Sequence, residues 1–290
     1  MNKLTTLRQL GLCLGLAAVA STASAQNATF SGSYVQNFDS MLQTGIAAPT
    51  GWTFVNDAGS HDLFTPADDT VTPGVLPNFT AGTLGTATSA VTAVTGPTNQ
   101  KAATGFNFGL TATPADRSLG TSPTGSAASI LQLSLTNSTA AALNSINVNY
   151  DIRRFSTTVN NNTSYASGNY GSVEELPGYW LFYSVNGGVW TNVAALNPTL
   201  SGSTGVVVPN TVGVTNVPQT TINLISPWAA GGTLKLAWFD DNAQGPSPDQ
   251  ILGLDNVQVA IPEPSTYAAI FGAFALGFAA FRRRSVPSIA

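Results

Sequence analysis

The chain has 290 residues, with ten basic and fourteen acidic side chains, one histidine and one cysteine. A net charge of −4 speaks against nucleic-acid binding, because such a chain repels a phosphate backbone. A single histidine and a single cysteine leave neither a usual zinc ligand set nor a disulfide.

Residues 1–25 carry Lys3 and Arg8, then an apolar core from Leu10 to Ala20, then small residues ahead of Gln26. This is the order of a secretory signal peptide, with Ala23 and Ala25 fitting signal peptidase and cleavage expected after Ala25. The apolar core is shorter than the ~20 residues that span a bilayer. Cys13 follows Leu12, where a lipoprotein signal needs a small residue, so lipidation is not expected. Cleavage removes Cys13, and the mature chain then depends on an apolar core without disulfides. The exported portion, 26–261, has five basic against thirteen acidic side chains, a net of −8. Its length suits one all-β domain.

Along that portion, Gly, Pro, Asn and Ser punctuate the chain every ten residues or so, and no long stripe of helical period intervenes. Such spacing predicts an antiparallel β-sandwich. Leu131, Leu133 and Leu135 alternate with Gln132 and Ser134, and Ile146, Val148, Tyr150 and Ile152 alternate with Asn147, Asn149, Asp151 and Arg153. Half-buried strands need that two-residue period. The clearest hairpin joins 179–185 to 189–193 through Asn186-Gly187-Gly188, because Asn-Gly accepts the positive φ angles of a tight primed turn. Trp180, Phe182 and Trp190 suit cross-strand packing better than a platform for sugar rings. Later strands are expected at 206–208, 221–225, 233–239 and 251–261. The stretch 66–104 is rich in Thr, Gly, Ala and Pro, and reads as long loops or weak edge strands. No fixed-period repeat is present, which disfavours a solenoid or propeller.

The segment 238–257 is the most distinctive part of the domain. Trp238-Phe239 runs into Asp240-Asp241-Asn242, a Gly/Pro-containing loop follows, and a second apolar strand carries Asp255-Asn256-Val257. This resembles the terminal hairpin of secreted lectin-like and MAM-like jelly rolls, and Asn37-Phe38-Asp39 resembles their first strand. If first and last strands lie side by side, Asp39, Asp240, Asn242 and Asp255 could converge with the oxygens that calcium prefers. The alternative is that these side chains cap strand ends and fill turn hydrogen bonds. No other cofactor is expected. His61 stands in Gly59-Ser60-His61-Asp62 with no serine elbow anywhere, so a catalytic triad is not expected. Glu174 and Glu175 are neighbours that would point to opposite faces of an extended segment, and either would need a distant partner to hydrolyse a glycoside. No catalytic residue is assigned.

Residues 262–290 hold three features in order: Pro262-Glu263-Pro264, an uncharged run from Ser265 to Phe281, and Arg282-Arg283-Arg284. A helix of those seventeen residues is about 25 Å long, at the lower limit for spanning a bilayer. The arginines serve as a stop-transfer cluster on the cytoplasmic side. The two prolines keep the motif extended and accessible outside the membrane. The three features together resemble the PEP-CTERM sorting signal of Gram-negative bacteria, although Ser285 to Ala290 extend past the arginines where such signals usually stop. The resemblance implies recognition of Pro262-Glu263-Pro264 by an exosortase, and export to the cell surface or extracellular matrix. The whole chain thus reads as a signal helix, a jelly-roll-like sandwich over 26–261 and a single C-terminal transmembrane helix. Its expected role is non-enzymatic, structural or adhesive, in association with extracellular polysaccharide. A carbohydrate-binding module, with or without calcium, and a secreted polysaccharide hydrolase are the alternatives.

Overall fold

A computed structural model describes residues 26–58, 85–98, 100, 102–123, 127–156, 178–199, 206–209, 211–240 and 250–262. The signal segment, the motif beyond Pro262, the apolar run, the terminal arginines and Asn242 lie outside them. Fifteen strands occur among the described residues. In order they are β1 (Ala28–Phe30), β2 (Ser33–Gln36), β3 (Trp52–Ala58), β4 (Val91–Thr95), β5 (Gly105–Gly109), β6 (Arg117–Thr121), β7 (Ala127–Asn137), β8 (Leu143–Ser156), β9 (Trp180–Val185), β10 (Thr191–Asn192), β11 (Pro198–Thr199), β12 (Val206–Val207), β13 (Gly213–Trp228), β14 (Thr233–Asp240) and β15 (Ile251–Ala260).

Two sheets make the sandwich. The first runs β10-β9-β14-β7, and β3 and β1 share the far side of β7. The second runs β13-β8-β15-β6-β5-β4, and β2 takes the part of β15 that β6 leaves free. The alternation at Leu131, Leu133 and Leu135 sets the register of the first sheet. Cross-strand rows form from Leu131, Trp238 and Leu181, from Leu133, Leu236 and Tyr183, and from Leu135, Leu234 and Val185. These rows pack with Ile146, Val148, Tyr150 and Ile152 of β8 and Leu252, Leu254, Val257 and Val259 of β15 in one core. Each large side chain removed from water there contributes about 1.5–3 kcal/mol.

The Asn186-Gly187 hairpin forms with φ of 53° and 74° at its two central residues, the primed turn the sequence calls for. Its register aligns Thr191 with Tyr183. The edge of the second sheet provides β4 inside the 66–104 stretch, and β4 pairs with β5 in parallel. Against the sequence expectation, 238–257 is not a hairpin: β14 belongs to the first sheet and β15 to the second. The ten residues between Asp240 and Ile251 are long enough to cross the roughly 10 Å that separates packed sheets.

Both sheets bury apolar side chains on part of their outer faces. Trp180, Phe182 and Phe239 point away from the shared core and are still buried, with Phe182 and Phe239 edge to face at 4.9 Å. On the second sheet, Phe106, Phe108, Phe155 and Ile251 form a separate apolar cluster on the outside. Gly120 makes room for the Phe108 ring, which would collide with a Cβ there.

Candidate functional site

Polar groups cross the second sheet as a ladder on its outer face. β8 supplies Asp151 and Arg153, and β15 supplies Asp255 and Asn256. A β-bulge in β15 separates the pairs Asp255 with Asp151 and Gln258 with Asn149. The bulge has a packing cause, since Leu254 and Val257 stand three residues apart yet both enter the core. Asn256 takes up the irregularity at φ 48°, a conformation asparagine tolerates. Its Nδ2 then donates to Asp151 Oδ2 at 2.8 Å, while Asn216 Nδ2 on β13 donates to Asp151 Oδ1 at 2.6 Å. One carboxylate thereby ties three strands.

The next rung is ionic. Arg153 Nη2 lies 2.7 Å from Asp255 and 2.6 Å from Asp116. Burial opposes the charge of Arg153, but its bonds to the two carboxylates outweigh that and raise its pKa. Asp255 is 1% exposed, and burial pushes its pKa from 3.8 up to about 7. Arg153 and the Asn256 N–H pull it back down, while the charges of Asp116 and Asp39 add to the rise. Both pKa values rise, which favours the charged form of Arg153 and the neutral form of Asp255, because burial outweighs the attraction of a guanidinium that Asp255 shares with Asp116. In the unfolded chain Asp255 ionises near 3.8, so between pH 4 and 7 the folded state holds a proton that the unfolded state has lost. Stability therefore falls as pH rises through that window. The melting temperature of Asp255→Asn should lack this part of the decline, and parallel curves for variant and wild type between pH 4 and 7 would exclude Asp255 as its source.

Asp39 reaches the same neighbourhood from a 3-10 turn that follows β2, which pairs with β15, while the first strand, β1, lies in the other sheet. Its Oδ1 accepts the Arg117 backbone N–H at 2.8 Å and its Oδ2 accepts Asn37 Nδ2 at 2.9 Å. Asp240 stands elsewhere, on the first sheet, facing inward, where it accepts the Thr121 hydroxyl. The Thr121 oxygen is also 2.9 Å from the Tyr179 hydroxyl, whose pKa burial and the Asp240 charge raise well above 10. Arg154 donates to Gln250 at the same end of the sandwich. The structure thus brings Asp39 towards Asp255 but leaves Asp240 on the other sheet. Among the described residues no group of three or more His, Cys, Asp or Glu side chains is placed to hold a metal ion.

Sequence reading did not single out Arg117, the most deeply engaged cation. It is fully buried, and its guanidinium meets only neutral oxygens: Asn107 Oδ1 at 2.6 Å, Thr95 Oγ1 at 3.2 Å, and the carbonyls of Pro114, Val94 and Asn107. Burial lowers its pKa. Asn107 in turn donates to the carbonyls of Leu42 and Gly45 at 2.8 and 2.9 Å. Leu42 holds φ 55° and ψ 179°, a region nearly reserved for glycine. Leu42 and Ile46 stay exposed at the tip of this pinned loop.

All five tryptophans are buried, Trp180 at 2% exposure being the most accessible, so none offers a free ring face. No family model matches the chain, and no curated protein matches it. Among solved structures, that of TmCBM61 in complex with beta-1,4-galactotriose is similar at 10% identity, over 51% of this chain and 72% of that one. Its TM-score is 0.25, and a likeness of that size carries no weight for fold or function.

Proposed function

We propose that the chain is an exported surface or extracellular-matrix protein with a structural or adhesive role and no catalytic activity. It is made as a precursor, cut by signal peptidase after Ala25 and held in the cytoplasmic membrane by Tyr267 to Phe281. An exosortase then sorts it at Pro262-Glu263-Pro264. The matrix it joins is one that contains exopolysaccharide.

The observation that carries this reading is the ordered tail of motif, apolar run and Arg282-Arg283-Arg284 behind an export signal. The domain's own chemistry supports it. The five aspartates with described side chains each accept a hydrogen bond from a partner within the chain, so none faces another carboxylate as a free pair. The alternation of strands between sheets, with β7, β8 and β9 and then β13, β14 and β15 changing sides at each step, supports a jelly-roll type of sandwich. Sugar binding by ring stacking is the less favoured reading, because every tryptophan is committed to packing.

Changing Pro262, Glu263 and Pro264 together to Ala should leave full-length precursor in the membrane fraction, whereas the wild-type protein is shortened and released. Equal maturation of the two would remove the exosortase reading.

A further inference from the structure

The two ends of the sandwich differ in kind. At one end, four connections meet around Asn137: residues 31–32, 138–142, 186–189 and 229–232. Asn137 is fully buried and its Nδ2 donates to the carbonyls of Ala141 and Trp228 at 3.0 and 2.9 Å. Its Oδ1 accepts the Thr139 N–H and hydroxyl at 2.9 and 2.6 Å. The Gly231 N–H donates to the Asn137 carbonyl, the Asn137 N–H to Gly232, and the Ser138 N–H to Phe30. Asn186 Oδ1 accepts the Thr233 N–H at 2.9 Å and joins the hairpin turn to the same plate. None of these connections contains a charged residue, and exposed Val189 and Ile225 stand at the rim.

The chain leaves the fold at this end. Ile261 donates its N–H to the Gly32 carbonyl at 2.9 Å and packs on the core, so Pro262 is the first residue beyond it. Only 262–266 separate the plate from Tyr267, a reach of at most about 18 Å. The nearest acid along β15, Asp255, lies five residues before Ala260, about 17 Å back and beyond a Debye length of ~8 Å. Among the described residues Lys235, the second residue in from Thr233, is the charge closest to the plate. β3, β8 and β14 run out at the other end, and the segments that follow them in sequence (59–84, 157–177 and 241–249) carry seven of the thirteen acidic side chains.

We infer that the plate built on Asn137 is the face by which the anchored precursor lies on the lipid surface, an inference that rests on Tyr267 to Phe281 being membrane-embedded. A face of alanine, glycine, serine and threonine meets lipid headgroups without stripping water from a charge, and its short tether holds it there. The end at which β3, β8 and β14 run out points away, so the sorting motif is presented beside the uncharged connections of the plate. The rigidity of the plate keeps that geometry, since each turn is bonded to another.

The mature sequence lacks cysteine, which makes the test direct. Full-length chain carrying Cys13→Ser and one of Ala141→Cys, Ala230→Cys or Thr86→Cys is labelled with a fluorophore and reconstituted into phosphatidylcholine–phosphatidylglycerol vesicles bearing a headgroup nitroxide quencher. Thr86 is exposed and follows Gly85, which abuts Asn56, itself paired with Ser129; that places it about 27 Å along the sheet from Asn137. Quenching should be several-fold stronger at 141 and 230 than at 86. Equal quenching at the three positions in protein that floats with the vesicles would overturn the orientation and leave the anchor standing. Protein that does not float would overturn both. Labels at 141 and 230 that are shielded but not quenched by lipid would give the plate to a second copy of the chain, and would also overturn the inference.

Discussion

Arg117→Ala is expected to lower the melting temperature of the sandwich domain by roughly 6–20 °C, from a loss of about 3–5 kcal/mol. The size follows from what the guanidinium leaves behind. Five oxygens on two strands, β4 and β5, and the β5–β6 turn lose their donor at once, and Asn107 Oδ1 is among them. A buried acceptor without a partner costs about 1–3 kcal/mol, and part of that is recovered as water enters the space. Arg117→Lys should recover little, because an ammonium cannot span acceptors that a planar fork reaches together. Arg117→Met fills the space without restoring a donor, so it should also be destabilised; a stable Met variant would refute the hydrogen-bond account. Released from Arg117, Asn107 no longer clamps Leu42 and Gly45, and a backbone at φ 55° has reason to relax. Amide exchange in residues 38–46 should therefore rise even where the rest of the domain stays folded.

That network was illegible in the sequence for a definite reason. Phe106-Asn107-Phe108 is a clean alternation, and alternation says that two faces differ without saying which is the core. Here the phenylalanines lie outside the sandwich in their own cluster, and the polar residue points in to meet Arg117. The rule that apolar means inward held for Leu131, Leu133 and Leu135, where one face meets the other sheet. It failed where the outer face is buried as well. The Asn186-Gly187 turn was readable because positive φ at two successive residues is a local demand that few residue types meet.

Nothing local announces that β14 and β15 part to different sheets, nor that β4 runs parallel to β5. Those are choices among long-range pairings. The candidate ladder was half visible: Asp255-Asn256 stood out as a polar pair inside an apolar strand, but its partners Arg153 and Asp116 come from strands and turns far away in sequence. Asn137 gave no signal at all, being one of many asparagines, and only the bonds of its side chain to the 138–142 turn and to Trp228 at the end of β13 show its role.

Trp238→Ala should be comparably damaging, at about 3–5 kcal/mol, because the vacated volume lies between the sheets where neighbours can collapse least. Trp238 stacks on Trp52 at 5.4 Å with 27° between planes, and Phe38 meets Trp52 edge-on at 4.9 Å. On its other side Tyr150 of β8 meets it edge-on at 5.7 Å, so the row Phe38, Trp52, Trp238, Tyr150 passes from the β2–β3 connection through the first sheet to the second. A second tie runs beside it, since Trp52 Nε1 donates to the Tyr34 hydroxyl of β2 at 2.7 Å. With one cysteine in the whole chain no internal disulfide can form, and contacts of this kind must hold the sheets together. A double-mutant cycle of Trp238→Ala and Tyr150→Ala, read by urea denaturation, should show coupling of about 0.5–1.5 kcal/mol beyond the separate losses of buried area. Strict additivity would mean that the two rings merely share a core. Coupling in the expected range would make the edge-on contact a specific clamp between sheets that no disulfide joins.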